Sequence, residues 1–432
     1  MSAYYRIYFT NNMYIINKLK NTFLELKAGV LFSIFSFINR GFSFVLLLIL
    51  ANFIHPKQYG YLSLFSTVLM VLSFFIAMTT EGYFNISFFK ESRQKFKETY
   101  TCISIIACVM SIFFIIICIL CREVIEPALD LPYYIILIAI IIGFFTVFVN
   151  LNLDYYRINE KVKIYGVLSC GNALLNFILS ILLVKILFYG WQGRIYAQLI
   201  CFLTFGLISI VSFVKRGFIT KPTIEQFKVI LLWSIPLIPH MATTFIRQGC
   251  DRYIINSYHS IETVGLFSFA LNLTGLITMI GFGFNQSNSV QIYKILKDKK
   301  KTNANKKNEL AHFRHIYIVL YTIITFFIIS ICYVLIPIVL PKYVMSMNYF
   351  PLLGIYALLV CYYLIYTNFL FYYNRTKYIM YITFSSSVIH LILSLIFTRY
   401  SLHVTSFIYV FTQLFVVLLI RKEAKRELII NL

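Results

Sequence analysis

The chain has 432 residues, 60% of them hydrophobic and only 12% charged, with a mean hydropathy of +0.81. Soluble domains are about half apolar and about a quarter charged, so a soluble globular protein is excluded. The apolar runs are continuous and about 20 residues long, enough for a membrane-crossing helix, which also excludes a barrel of short alternating strands.

The first 27 residues mix aromatic and basic side chains. They have neither the short apolar core nor the small-residue cleavage site of a signal peptide, so they read as a cytoplasmic segment. Twelve membrane spans follow, at about 28–51, 59–80, 101–121, 132–151, 164–187, 195–214, 229–257, 264–286, 315–340, 349–371, 378–398 and 402–420. With the N-terminus inside, 29 of the 38 Lys and Arg residues fall in inside segments and six in outside loops. Three (Arg40, Arg247 and Arg252) fall within spans. That asymmetry is the positive-inside pattern and places both termini in the cytoplasm. It also accounts for the net charge of +22 as topology, so nucleic acid is not an expected partner. The longest basic run, KDKKKTNANKKNE at 297–309, reads as a solvated connector beside anionic lipid.

The chain repeats itself. NFIHPKQYGYLSLF (52–65) follows the first span and NSYHSIETVGLFSF (256–269) follows the seventh. With one inserted residue, Asn52 matches Asn256, His55 matches His259, Gly60 matches Gly265 and Ser63 matches Ser268. NFILSILLV (176–184) and HLILSLIFT (390–398) form a second match, which pairs Asn176 with His390. Six plus six spans of the same orientation make a parallel repeat, whose halves are related by an axis along the membrane normal. The expected fold is all-α, twelve transmembrane helices in two six-helix lobes. The N-lobe covers 28–214 and the C-lobe 229–420, with a cytoplasmic linker at 215–228 and a tail at 421–432. The cleft between the lobes is the natural substrate path.

The nine cysteines lie in or beside apolar runs without zinc-ligand spacing and read as packing residues. No P-loop, paired carboxylate, Ser-His-Asp set or metal motif is present, so neither a cofactor nor an enzyme activity is expected.

Three stretches carry a family resemblance. One is PLIPHMATTFIRQGCDRYIINSYHSIETVGLFSFALNL, where a proline-containing helix leads into Asp-Arg-Tyr and a Val-Gly turn. The others are YGWQGRIYAQLICFL (189–203) and HPKQYGYLSLF, the N-lobe counterpart of HSIETVGLFSF. Together they resemble the oligosaccharide flippases of the polysaccharide exporter group, the Wzx O-antigen flippases in particular, which are similar in fold to MATE transporters. Lipid II flippases are related but typically carry extra spans, which this chain does not show. The resemblance implies alternating access in a bacterial inner membrane. Its cargo would be an undecaprenyl-pyrophosphate-linked repeat unit, for instance of lipopolysaccharide O-antigen, with membrane lipids, a polysaccharide polymerase and a chain-length regulator as partners.

Arg40 is the sharpest single residue, near the middle of span one with no carboxylate close in sequence. A central Arg costs about 2.5–3.5 kcal/mol to insert, so it needs a wet cavity, an anion or polar neighbours. A diphosphate suits it, because the guanidinium fork gives bidentate, charge-assisted hydrogen bonds; a structural Arg satisfied by other spans is the alternative. Arg247 stands four residues before Asp251 on one helical face, so it serves either the substrate or an ion pair with Asp251 at the lobe interface. Arg252, nearer the outer end, can snorkel. Asn39, Asn176, Asn272 and His390 offer hydrogen bonds to sugar hydroxyls, or to neighbouring helices. Pro236 and Pro239 break the ladder of span seven, which suits either a moving gate or a static kink. Two competing functions are a MATE-like cation-coupled exporter, which needs membrane carboxylates that are nearly missing here, and an O-antigen polymerase or ligase, which needs a large outer loop.

Overall fold

The computed structural model describes residues 31–431 except 33, 238–242, 244 and 248, with the backbone alone at 236, 286, 287 and 431. Among the described residues every regular element is helical. Lipid offers no partner for an unpaired backbone group, so a chain this apolar must satisfy its amides internally. In order, the helices are α1 (Ile34–Phe53), α2 (Pro56–Ala77), α3 (Thr80–Lys90), α4 (Arg93–Leu120), α5 (Arg122–Leu129), α6 (Tyr133–Ile158), α7 (Val162–Ile181) and α8 (Gly190–Lys215). Then come α9 (Ile224–Ser234), α10 (Cys250–Tyr258), α11 (Ile261–Leu273), α12 (Gly275–Lys297), α13 (Asn303–Val339), α14 (Phe350–Tyr372), α15 (Thr376–Phe397) and α16 (Leu402–Asn431).

Among the described residues, eleven helical runs are long and apolar enough to cross a membrane. The twelfth expected span, 229–257, is interrupted. Helix α9 ends at Ser234, a 3-10 turn holding Pro236 covers Ile235–Leu237, and the helical residues 245–247 are separated from α10, which begins at Cys250, by a turn at Gly249. Pro239, His240 and the segment 1–27 lie outside the described residues.

The helices outrun the hydropathy. The connection expected at 81–100 is mostly helix: α2 breaks at Met78 and Thr79, both in left-handed backbone (φ 45° and 57°), continues as α3, and turns through Glu91 and Ser92 into α4. The expected tail at 421–432 continues α16 as helix to Asn431. Hydropathy marks only the lipid-buried length, whereas Lys, Arg and Glu beyond it remain good helix formers. Hydroxyl caps fix these projecting ends: Ser92, Thr223, Ser260 and Thr302 accept from the amides of Lys95, Gln226, Thr263 and Asn305.

In the first half α2, α4 and α8 pack around α6, with α7 against α8. In the second half α14 packs against α12, α13 and α16, and α15 against α16. The outer faces are apolar. On α4, Ile105, Val109, Ile112, Ile116 and Ile119 form one exposed stripe at helical spacing, the face a bilayer covers.

The halves meet chiefly through α2 and α11. There Gly60 faces its repeat partner Gly265. A Cβ on Gly60 would lie 2.1 Å from the Ile261 carbonyl oxygen, and one on Gly265 would lie 1.9 Å from that of Pro56. Pro56 and Ile261 are themselves four residues before each glycine, so the contact is its own image under the two-fold relation of the repeat. Tyr59, Phe269 and Tyr343 pack around it, with Phe269 and Tyr343 at 4.4 Å between ring centroids. The Tyr343 hydroxyl donates to the Ile54 carbonyl at 3.1 Å, and Lys342 Nζ to that of Asn52 at 3.3 Å. The halves are thus closed at the end bearing the turns at 54–55 and 340–349. At the basic end, Glu91 accepts from the Tyr83 hydroxyl (2.7 Å), Thr99 Oγ1 (3.1 Å) and Gln226 Nε2 (3.0 Å to each oxygen), which fastens α9 to α3 and α4.

Candidate functional site

Three cavities of about 250, 220 and 490 Å³ adjoin along α1. Ser43 lines all three, Asn39 the first and third, Arg194 the first and second, and Asn272 the second and third. The first lies inside the N-terminal half among α1, α6, α7 and α8. The second lies among α1, α2 and α8 and reaches Arg252 and Asn272 of the other half. The third is the cleft between α1 and the start of α12. Helix α1 is therefore the partition along which polar groups of both halves converge.

Arg40 projects into the third cavity. Its guanidinium carbon stands 5.9 Å from the centre of the Phe282 ring on α12, and among the described residues no carboxylate pairs with it. Asn39 donates to Ser169 Oγ on α7, and Asn272 Nδ2 to the Tyr59 hydroxyl at 2.7 Å. Arg252 lines the second cavity; its Nη1 donates to Thr67 Oγ1 at 3.0 Å and its buried Nε has no partner.

Arg194 is a residue that sequence reasoning assigned to an outside loop. It lies in the second turn of α8, donates to Asn176 Oδ1 and to Ser180 Oγ at 2.9 Å, and lines two cavities. The available signal was its place in YGWQGRIYAQLICFL, where the helix starts at Gly190 and Arg194 must follow its axis inward.

The remaining candidates stand elsewhere. The ion pair between Arg247 and Asp251, one of the two alternatives for Arg247, does not form. Gly249 interrupts the helix between them, because its backbone packs against α2, where a Cβ would lie 3.0 Å from Thr67 and 2.9 Å from Met70. Arg247 donates instead to Gln413 on α16. Asp251 Oδ2 lies 2.7 Å from His390 Nε2, with both side chains almost fully buried at 3% and 2% exposure. His390 Nδ1 reaches Thr412 Oγ1 at 3.1 Å, and the Tyr409 ring stands edge-on at 4.7 Å. This cluster ties α10, α15 and α16 together, and neither Asp251, His390 nor Arg247 lines the three cavities. Asn176 and His390 thus keep their equivalent places, but only Asn176 faces a cavity.

Among the described residues no acidic side chain lines any of the three cavities, whereas three arginines do. Glu81 stands one layer behind, accepting from Asn150 Nδ2 at 3.2 and 3.4 Å. Two packed helical halves around a polar, cationic path make a multi-pass membrane protein with a central cleft.

The comparisons agree. The fold matches an inward-facing multidrug resistance MATE family transporter of the MOP superfamily, with a TM-score of 0.67 at 14% identity over 94% of this chain and 98% of that one. It matches the lipid II flippase MurJ, in an inward closed conformation, with a TM-score of 0.68 at 17% identity over 93% and 90%. Protein 1 of the Lsg locus of Haemophilus influenzae is 23% identical over 365 residues, 82% of this chain and 87% of that protein. The family described as polysaccharide biosynthesis protein matches residues 26–287, well over half of the chain. The chain belongs to that family, and its fold is the one these transporters share.

Proposed function

We propose that the chain carries undecaprenyl-pyrophosphate-linked oligosaccharide units, of O-antigen or a similar polysaccharide, from the cytoplasmic to the periplasmic leaflet of a bacterial inner membrane by alternating access. The observation that carries this is the lining of the three adjoining cavities: Arg40, Arg194 and Arg252, and no carboxylate. Arginine inside a membrane is costly and is retained where it meets an anion or water. A diphosphate brings several charges and many acceptor oxygens, and guanidinium forks bind it through paired hydrogen bonds that a lysine cannot copy. Arg40 and Arg252 come from opposite halves, so a diphosphate between them would be released or gripped as the halves move. The excess of basic residues in alternate loops supports cytoplasmic termini; with that orientation the Gly60–Gly265 contact seals the acceptor side and the cavities serve the donor leaflet. A polymerase and a chain-length regulator would then act on the delivered units.

A cation exporter of MATE type would need carboxylates where these cavities present arginines. The test is the sidedness of lipid-linked units in a strain lacking the protein. Accumulation of single units on the inner face supports the flippase, and accumulation on the outer face indicates a polymerase. In complemented cells Arg40→Ala lowers export strongly and Arg40→Lys lowers it less. Undiminished export in the deletion strain, with no second exporter, would sink the proposal.

A further inference from the structure

The first cavity, the one lined wholly by the N-terminal half, differs from the other two in chemistry. Four asparagines from three helices line it: Asn39 of α1, Asn150 of α6, and Asn172 and Asn176 of α7. Phe202 of α8 supplies an aromatic side chain to the wall, and Arg194 stands where this cavity joins the next. Arg194 is already engaged by Asn176 and Ser180, so it holds the wall in place and offers less to an anion here than Arg40 or Arg252 do in the adjoining cavities. The side-chain oxygens of Asn39 and Asn172 are buried and have no hydrogen-bond partner.

A buried amide oxygen without a donor costs about 1–3 kcal/mol, and buried polar atoms in native proteins are nearly all paired. Both residues line the cavity, so an occupant that donates hydrogen bonds from more than one direction would satisfy these oxygens once the amides turn toward it. The volume, about 250 Å³, equals that of about eight liquid waters at roughly 30 Å³ each. It is small for a lipid chain and for a drug-sized ligand, whose pockets run from roughly 300 Å³ upward and are mostly apolar. An uncharged ring with hydroxyls around its edge and C–H groups on its face matches both the amides and the aromatic wall.

We propose that this pocket is a monosaccharide subsite, in which Asn39 and Asn172 accept hydrogen bonds from the hydroxyl or acetamido groups of one sugar unit. The proposal rests on the flippase reading for the sugar's source, and it adds that the N-terminal half, by itself, selects which sugar is carried. Because the pocket connects through Asn39 and Arg194 to the cavities holding Arg40 and Arg252, a sugar seated there leaves an attached diphosphate within the cationic path.

The test uses the full chain in lipid nanodiscs and two kinds of probe. Saturation-transfer NMR with a panel of methyl glycosides of hexoses and N-acetylhexosamines reads the amide pocket. Titration with inorganic pyrophosphate reads the arginines. At least one glycoside binds the unaltered protein, Asn172→Leu weakens it about tenfold or more, and pyrophosphate binding stays within twofold. Asn172→Ser, smaller and still polar, provides the second variant should the leucine disturb folding, and it too weakens the glycoside. If no glycoside of the panel binds, or if binding is unchanged in both Asn172 variants and in Asn39→Leu, the pocket holds water only and the proposal is overturned. Loss of pyrophosphate binding with glycoside binding intact would instead count against the diphosphate site alone.

Discussion

Adding one methyl group at Gly265 should unlock the closed end of the transporter. In the present structure the added Cβ would lie 1.9 Å from the Pro56 carbonyl oxygen, 2.8 Å from its carbon and 2.9 Å from the Gly60 nitrogen. A close carbon–oxygen contact needs about 3.3 Å, so α2 and α11 must separate by roughly 1.4 Å. All three obstacles are backbone atoms, so no rotamer change removes the clash. Overpacking of this kind costs about 1–3 kcal/mol, and it burdens only the state in which the two glycines touch. The ratio of open to closed forms then rises by a factor of about 5–150. The assay is cross-linking of Asn52→Cys to Lys342→Cys by a short bis-maleimide, which spans the reach of Lys342 Nζ to the Asn52 carbonyl oxygen (3.3 Å) across the halves, with each single variant as a control for the native cysteines. Cross-linking should slow markedly in Gly265→Ala. Gly60→Ala should act alike because its Cβ meets Ile261 symmetrically at 2.1 Å. An unchanged cross-linking rate in a folded Gly265→Ala protein would refute the reasoning.

Further outcomes follow from the same structure. Asp251→Ala or His390→Ala should each lower stability by about 3–5 kcal/mol by leaving half of a buried pair, seen as a fall in unfolding temperature in detergent. Asp251→Ala combined with His390→Ala should cost less than the sum of the single changes, and strict additivity would show that the two do not act as a pair. Arg194→Ala should reduce transport even though Arg194 was placed outside the membrane by sequence, because it frees Asn176 and Ser180 at a junction of cavities; wild-type transport would contradict its position. Glu91→Ala removes the acceptor that holds Tyr83, Thr99 and Gln226, so the 216–223 linker should become more sensitive to limited proteolysis, while Lys301→Ala, which breaks an exposed pair with Glu309, should leave cleavage unchanged.

Much of the architecture is legible in the chain because a bilayer reduces folding to a simple rule: about 20 apolar residues make a helix, and basic residues stay on one side. The internal repeat is legible too, and it matched Gly60 with Gly265 before any contact was known. Less legible was where helices stop. Hydropathy falls off at about residue 80, yet the helix resumes after two left-handed residues and runs to Lys90, because helix propensity and hydropathy are separate properties. Arg40 was recognisable as a cationic residue without a nearby acid, since that argument needs only its depth. Arg194 was not, since at a helix start a shift of a few residues decides between a solvated turn and a buried wall.

By itself, then, the sequence determined the class: helical, multi-pass, two repeated halves, basic on one face, and poor in membrane carboxylates. These follow from composition and period, which are properties of the chain taken locally. Only the tertiary structure decided which polar groups share a space. Asp251 stands four residues from Arg247 but pairs with His390, 139 positions away, because a glycine breaks the helix between the first two while α10 packs against α15. Asn39, Asn150, Asn172 and Asn176 lie scattered over more than a hundred residues and become one cavity wall through the packing of α1, α6 and α7. Side-chain convergence depends on how helices rotate and cross, and no local pattern records that.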